Sequence, residues 1–252
     1  MAELINYSET ASGPRLAAHV ECFWARRKSP EPARVLPDTC LDIVFSREIG
    51  LHLVGSMTRA LVIENPTASF VGARLRAGAA RALLGFPIHH LCDRTIALDD
   101  LRRNPVLALK QRLLNARSTH EAIRILRSVF TPVDRLSPVQ KAIGNLAANG
   151  GSVRLDDMAR ATGLGLRQFR RRCIEETGLS PKHLARIGRF RRACSHMNQR
   201  TEIDWADLAL EFGYYDQAHF INEFRALSGL TPAAYQRELA NRTVFSNTTL
   251  AS

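Results

Sequence analysis

Leu155-Asp156-Asp157-Met158-Ala159, followed by Gly163, Phe169 and Gly178-Leu179-Ser180-Pro181, recurs as Trp205-Ala206-Asp207-Leu208-Ala209, followed by Gly213, Phe220 and Gly229-Leu230-Thr231-Pro232. Gly163 and Gly213 lie 50 positions apart, and Gly178 and Gly229 lie 51 apart, so one residue is inserted between the copies. Each copy reads as a short helix, a glycine turn and a longer polar helix, the layout of a helix-turn-helix. The two units are expected at 155–177 and 205–228. In tandem they imply a bipartite reader of double-stranded DNA.

The second helix of the first copy is expected over about Leu166 to Thr177. At about 100° per residue, Leu166, Phe169 and Cys173 share an inward face. The opposite face centres on Arg167, Gln168 and Arg171, with Arg170 and Arg172 on its flanks. Arginine forks to guanine O6/N7, glutamine pairs with adenine N6/N7, and flanking arginines grip phosphates. In an isolated helix, such a basic face is more often simply solvated. Inside a duplicated helix-turn-helix, DNA contact is the stronger reading.

In the second copy Asp216 is the expected N-cap and Phe220, Phe224 and Leu227 the inward face. Ala218, Ile221, Asn222 and Arg225 lie opposite, Gln217 reaches from the first turn, and His219 sits toward the edge. Asparagine and glutamine can read adenine, and alanine or isoleucine can touch a thymine methyl. Between the copies, Ile187 to Asn198 is expected to form a stiff linker helix. Ile187, Phe190, Cys194 and Met197 face inward, and Arg189, Arg191 and Arg192 lie on the other faces. A rigid connector suits two successive major-groove segments about 34 Å apart.

Charge divides the copies. Residues 154–192 hold eleven basic and four acidic residues, whereas residues 201–239 hold two basic and seven acidic. The first unit is therefore expected to carry most phosphate contacts. The whole chain of 252 residues has net charge +11, which suits a polyanionic partner. Its length allows two domains.

The amino-terminal residues 1–130 read as an α+β domain, a small antiparallel sheet plus helices, ahead of an all-α tandem helix-turn-helix domain at 139–242. Segments 19–25, 41–45, 51–54, 61–63 and 70–75 are short, rich in β-branched and aromatic residues, and mostly bounded by turn residues. Gly78 to Gly85 reads as one helix stopped by Gly85 and Pro87. Pro105 to Phe130 reads as two helices, broken at Ser118, the expected N-cap, with Glu121 closing a capping box. Two prolines at 131–138 mark the linker between domains.

The segment from about Ser137 to Arg242 resembles the AraC/XylS family DNA-binding domain. The matching motifs are Leu155 to Ala159, Gly163-Leu164, Phe169-Arg170-Arg171, Thr177 to Pro181 and Arg189-Phe190-Arg191-Arg192-Ala193. The most diagnostic are Leu208 to Tyr214, Asp216 to Phe220, Phe224-Arg225 and Gly229 to Tyr235. The resemblance implies seven helices, two helix-turn-helix units on successive major-groove faces, and a bacterial regulator, usually an activator, that works with RNA polymerase. Asn222 stands where relatives often carry arginine, and Ala226-Leu227 replaces a more basic pair.

The amino-terminal part is similar to an uncharacterised sensor-like domain through Leu36 to Asp42, Gly55 to Arg59 and Gly72 to Ala80. That resemblance implies a small-molecule effector or a second copy in a homodimer. An effector is expected where sheet meets helix, near Asp38, Cys40, Asp42, Arg59 and Arg74, with the two arginines suited to an anionic group. The other reading is that these charges pair with one another.

Other classes are weakly supported. There is no GxSxG, P-loop, Rossmann glycine pattern or HExxH, so an enzyme tethered to DNA is the lesser alternative, as is a nonspecific architectural DNA binder. His89-His90 with Cys92-Asp93 is a poor metal set, because adjacent loop histidines are expected to point apart, and no cofactor is implied. The five cysteines (22, 40, 92, 173 and 194) form no CxxC pair and read as reduced thiols in a cytoplasm. Cys22, Cys40 and Cys173 are expected to be buried. No apolar run of eighteen residues suggests a membrane span, and no secretory leader is read at the start.

Overall fold

The computed structural model describes residues 7–29, 32–64, 67–85, 88–98, 104–131, 136–150, 154–200, 202–240 and 244–245. Its strands in chain order are β1 (Tyr7–Ala11), β2 (Val20–Arg26), β3 (Ala33–Val35), β4 (Leu41–Ser46), β5 (Gly50–Val54), β6 (Leu61–Ile63), β7 (Phe70–Leu75), β8 (Thr95–Ala97) and β9 (Val244–Phe245). Six of them form an antiparallel sheet in the order β1-β2-β7-β4-β5-β8. A smaller sheet places β3 between antiparallel β6 and parallel β9.

All five strand segments read from the sequence are present. The strands that escaped it are β1, β3, β8 and β9. Their segments YSETA, ARV, TIA and VF are short or polar, and three of them pair on one side only. An edge strand needs no apolar alternation to hold it, so its pattern is weak.

Because strand side chains alternate, the large sheet has two distinct faces. Phe23, Ala25, Ile43, Phe45, Val71 and Ala73 pack with Leu109, Leu113, Ala122, Ile123 and Leu126 in one buried cluster. Those helical residues belong to α2 (Asn104–Leu114) and α3 (Thr119–Ser128), which follow the short α1 (Ala80–Leu84). Gly85 ends α1 with φ of 72°; Pro87 and residues 132–135 of the expected linker lie outside the described residues. Ser118 caps α3, its hydroxyl accepting from the Glu121 amide at 3.1 Å. Glu121 reaches back one residue further than expected, accepting from the Arg117 amide at 2.8 Å.

The helical part runs α4 (Pro138–Asn149), α5 (Leu155–Ala161), α6 (Leu166–Thr177), α7 (Pro181–Met197), α8 (Trp205–Glu211), α9 (Gln217–Ser228) and α10 (Pro232–Ala240). Among the described residues this is seven helices, the number the resemblance implied. The linker helix α7 starts six residues earlier than expected. Ser180 caps it, accepting from the His183 amide, and Pro181 occupies the first turn, where its missing N–H costs nothing. Phe190, Phe220, Phe224 and Tyr235 meet edge to face at the centre of this part, with centroids 4.9–5.6 Å apart. Gly188 lets α7 lie directly on α4: a Cβ there would stand 2.1 Å from the Ala147 carbonyl oxygen. Leu36 and Ala77 of the amino-terminal part join this second core.

Candidate nucleic-acid interface

Each helix-turn-helix turns on a glycine that the geometry requires. Gly163 has φ of 73° and Gly213 of 74°, left-handed backbone that a Cβ disfavours. The turns close alike: the Leu164 amide donates to the Ala159 carbonyl, and the Tyr214 amide to the Ala209 carbonyl. Past each turn, α6 and α9 start at a cap and stop at Gly178 and Gly229, again in left-handed backbone.

On α6, Phe169 and Cys173 are fully buried, while Arg167, Gln168, Arg170 and Arg171 are exposed. Arg172 is half-buried and bound to Glu175 at 3.2 Å, which also takes Arg171 at 3.5 Å. Gln168 accepts from the Gly165 amide in a capping box. The flank assigned to Arg172 is therefore partly spent inside the protein, and the exposed basic face is Arg167, Arg170 and Arg171.

On α9, Asp216 caps as expected, accepting from the His219 amide at 2.7 Å. Gln217, Ala218, Asn222 and Arg225 are exposed. Ile221 departs from its expected outward place: it is half-buried and packs on the core. His219 Nδ1 accepts from the Tyr215 amide, and its ring stands edge-on to Tyr214. That contact is a turn-holding role. Glu223, 2.9 Å from Arg186 of α7, fastens the second reader to the linker helix.

The arginines of α7, to which the sequence reading gave no role, are engaged within the protein. Arg189 donates to the Gly213 carbonyl and stacks over Tyr214; Arg192 donates to the Asn149 carbonyl and lies over Phe212. Arg191 turns to the amino-terminal domain, 3.5 Å from Glu21. Burial works against its charge, but Glu21 and Asp38 hold its pKa above the ordinary value. Burial also opposes the Glu21 charge, yet Arg191 and Arg74 keep that pKa below its usual range. No periodicity marks this role, because an ion pair across two domains leaves no local pattern.

The residues expected around an effector come together by the face of the sheet turned away from α2 and α3, with one exception. Arg74, 2% exposed, lies 3.0 Å from Glu9, 3.5 Å from Asp38 and 3.7 Å from Asp42. Trp24 donates its indole N–H to Asp42 at 2.6 Å, and the Cys40 thiol donates to Glu21 at 3.1 Å. Burial pushes Asp42 up to about 7, against the pull of Arg74. Arg59 stands apart, exposed between β5 and β6. The protein's own ion pairs occupy the expected ligand position, and the cluster adjoins Arg191, so it joins the sheet to α7. Cys22, Cys40 and Cys173 are buried, as expected. His89 and His90 do not point apart: in a single 3-10 turn their ring centroids are 3.8 Å from each other. Among the described residues, no helix is long and apolar enough to cross a membrane.

Comparison with known proteins gives separate matches in the two parts of the chain. A family profile described as a helix-turn-helix domain matches residues 158–238, and one described as a domain of unknown function (DUF6597) matches residues 8–97. A comparison with curated proteins finds no significant match. Among solved structures, ToxT from Vibrio cholerae O395 is 12% identical with a TM-score of 0.47, over 86% of this chain and 98% of its own. The C-terminal domain of AraT, a response regulator from Geobacillus stearothermophilus, is 22% identical with a TM-score of 0.36, over 46% of this chain and 93% of its own. Two glycine-turned units joined by one linker helix lie under the matching profile, so the carboxyl-terminal part of the chain carries a helix-turn-helix domain of the AraC type, as found in DNA-binding transcription regulators.

Proposed function

We propose that the protein is a sequence-specific activator whose α6 and α9 enter two successive major-groove segments. The observation that carries this reading is the matched pair of helices, each buried on its aromatic side and open on its polar side. Arg167, Gln168, Arg170 and Arg171 do the reading on α6, and Gln217, Ala218, Asn222 and Arg225 on α9. Arg172 joins as a phosphate contact once DNA draws it from Glu175, His219 sets the turn, and Ile221 offers only its exposed edge to a thymine methyl. Arginine bound to guanine and asparagine or glutamine bound to adenine give the base discrimination, and the remaining arginines grip phosphates.

RNA polymerase is the partner that an activator needs, and the cytoplasm is where both would meet promoter DNA. The amino-terminal domain is the controlling part, answering to a small-molecule effector or a second copy of the chain. Gel shifts with random-sequence competitor at stated salt test the reading. A selected site is expected to bind at least about 10³-fold more tightly than competitor. A ratio near one would replace this reading with nonspecific architectural binding.

A further inference from the structure

Three guanidinium groups converge on Glu175, in the last turn of α6. Arg172 Nη1 lies 3.2 Å from its Oε2, Arg171 Nε 3.5 Å from its Oε1, and Arg81 Nη1 3.7 Å from its Oε2. Arg171 and Arg172 belong to the basic side of α6 itself. Arg81 comes from α1, in the amino-terminal part of the chain. At the corresponding place in the second unit, 51 positions further on, stands Ala226, so such a unit folds without a carboxylate there.

The three cations differ in their freedom. Arg171 is exposed and Arg172 half-buried, and both lie on the side of α6 that is open to solvent. Arg81 is pinned. Its Nη1 also lies 3.2 Å from the buried Glu176, whose other oxygen accepts from Gln140 Nε2 at 3.5 Å. α1 packs on α6, and the Ser56 hydroxyl holds the Thr177 carbonyl at the end of the same helix. A fixed third cation beside a shared carboxylate lowers the cost for the other two to leave it.

We propose that Arg81 is a positioning residue for DNA binding, although it lies outside both helix-turn-helix units: it takes over the Glu175 carboxylate and so releases Arg171 and Arg172 to DNA. The proposal rests on the reading of α6 as a DNA-contacting helix. In the free protein Glu175 neutralises part of the basic side of α6. When a phosphate draws Arg172 away, the carboxylate keeps Arg81, and no unpaired acid is left beside the polyanion. An unpaired Glu175 would repel the phosphates and hold the two arginines back. The linkage runs both ways. DNA on α6 tightens the contact with α1, and loss of that contact weakens DNA binding by the same factor. Surface pairs of this kind are individually weak, so the effect is a few-fold in affinity and is read most clearly in the salt dependence.

Fluorescence anisotropy of the full chain with a selected site and with a random-sequence duplex, at several salt concentrations, tests it. Arg81→Gln is expected to weaken both about two- to fivefold and to make the salt slope shallower. Arg81→Lys keeps the charge and is expected to stay within about twofold of the wild type. Glu175→Gln is expected to tighten both and to steepen the slope by up to about one. With Glu175→Gln in place, adding Arg81→Gln is expected to change little. An equal loss in both backgrounds, a loss in Arg81→Lys as large as in Arg81→Gln, or weaker binding in Glu175→Gln would each overturn the proposal. If Arg81→Gln does not fold, hydrogen exchange in α1 decides. DNA should slow it in the wild type and not in Glu175→Gln, and the same response in both would overturn the proposal. Equal affinity for the two duplexes sinks the sequence-specific reading alone, since the comparison of variants can be made on either. No binding of either duplex by the wild type overturns both.

Discussion

Thr177 and Ser228, 51 residues apart, end the two reading helices in the same way. Thr177 Oγ1 donates to the Cys173 carbonyl at 2.7 Å and accepts from the Leu179 amide at 3.0 Å. Ser228 Oγ donates to the Phe224 carbonyl at 2.8 Å and accepts from the Leu230 amide at 3.1 Å. Both backbone carbonyls are then taken by the amino-terminal domain. Ser56 donates to Thr177 at 2.9 Å, and Arg34 donates to Ser228 at 3.1 Å. The last-turn carbonyls of a helix lack partners within the helix, so a neighbouring domain can grip them. The amino-terminal part thus holds the carboxyl-terminal ends of both α6 and α9, while their polar faces stay open.

The grip should be measurable as protection. Ser56→Ala should cost about 1 kcal/mol and Arg34→Ala about 1.5–3 kcal/mol, because the second bond has a charged donor. Hydrogen exchange should speed up at 177–179 in the first variant and at 228–230 in the second. Unchanged exchange in both would show that the domains do not hold the helix ends in solution.

Removing one partner of the interdomain ion pair should hurt more than removing both. Arg191→Met leaves Glu21 without its main cation and should cost up to about 3 kcal/mol, with part of that restored in the double variant with Glu21→Gln. Urea unfolding of the four chains measures the coupling. Additive costs would show that the pair does not interact.

The same joint sets a pH dependence. Glu21 has its folded pKa below the ordinary 4.5, so its contribution is present above that value and is lost as pH falls through the folded pKa. Asp42 is shifted the other way, to about 7, so its contribution is present in acid and is lost as pH rises through that value. Asp42→Asn should therefore flatten the stability profile near neutral pH, and Glu21→Gln should flatten it in acid. Thermal melts across about pH 2.5 to 9 would refute this if the wild type and both variants ran parallel.

The two readers should contribute unequally to DNA binding. Arg171→Ala should cost about 1–3 kcal/mol and relax one base position, whereas Arg170→Ala should weaken all sequences and reduce the salt slope by about one. Arg172→Ala should do less, since its guanidinium already serves Glu175. Asn222→Arg should tighten binding on the acidic second unit. Footprints lost equally on Arg171→Ala and Asn222→Ala would contradict the division.

Glycine substitutions should separate turn strain from packing. Gly163→Ala meets open space but a left-handed backbone, and should cost about 1–2 kcal/mol. Gly188→Ala drives a methyl into the Ala147 carbonyl and must push α4 from α7, so it should cost more. Thermal melts that rank them in the opposite order would show that α4 and α7 part easily.

The tandem helix-turn-helix units were legible in the sequence because every signal that builds them is local. Gly163 and Gly213 turn the chain, Asp216 caps it, and Phe169, Cys173, Phe220 and Phe224 recur at helical spacing. Each acts within a turn or two of its own position, so spacing alone determines the two readers. The start of α7 was also written locally, in Ser180-Pro181, and was passed over. Arg191, Arg74 and Arg34 are different. As residues they are three similar cations, yet one pairs with Glu21 far away in the chain, one is sealed among carboxylates and one grips the last turn of α9. What separates them is which distant carboxylate or carbonyl the fold brings within a few ångströms. Only the tertiary structure decides that, because the energy of a charge depends on its burial and on partners far away in the chain.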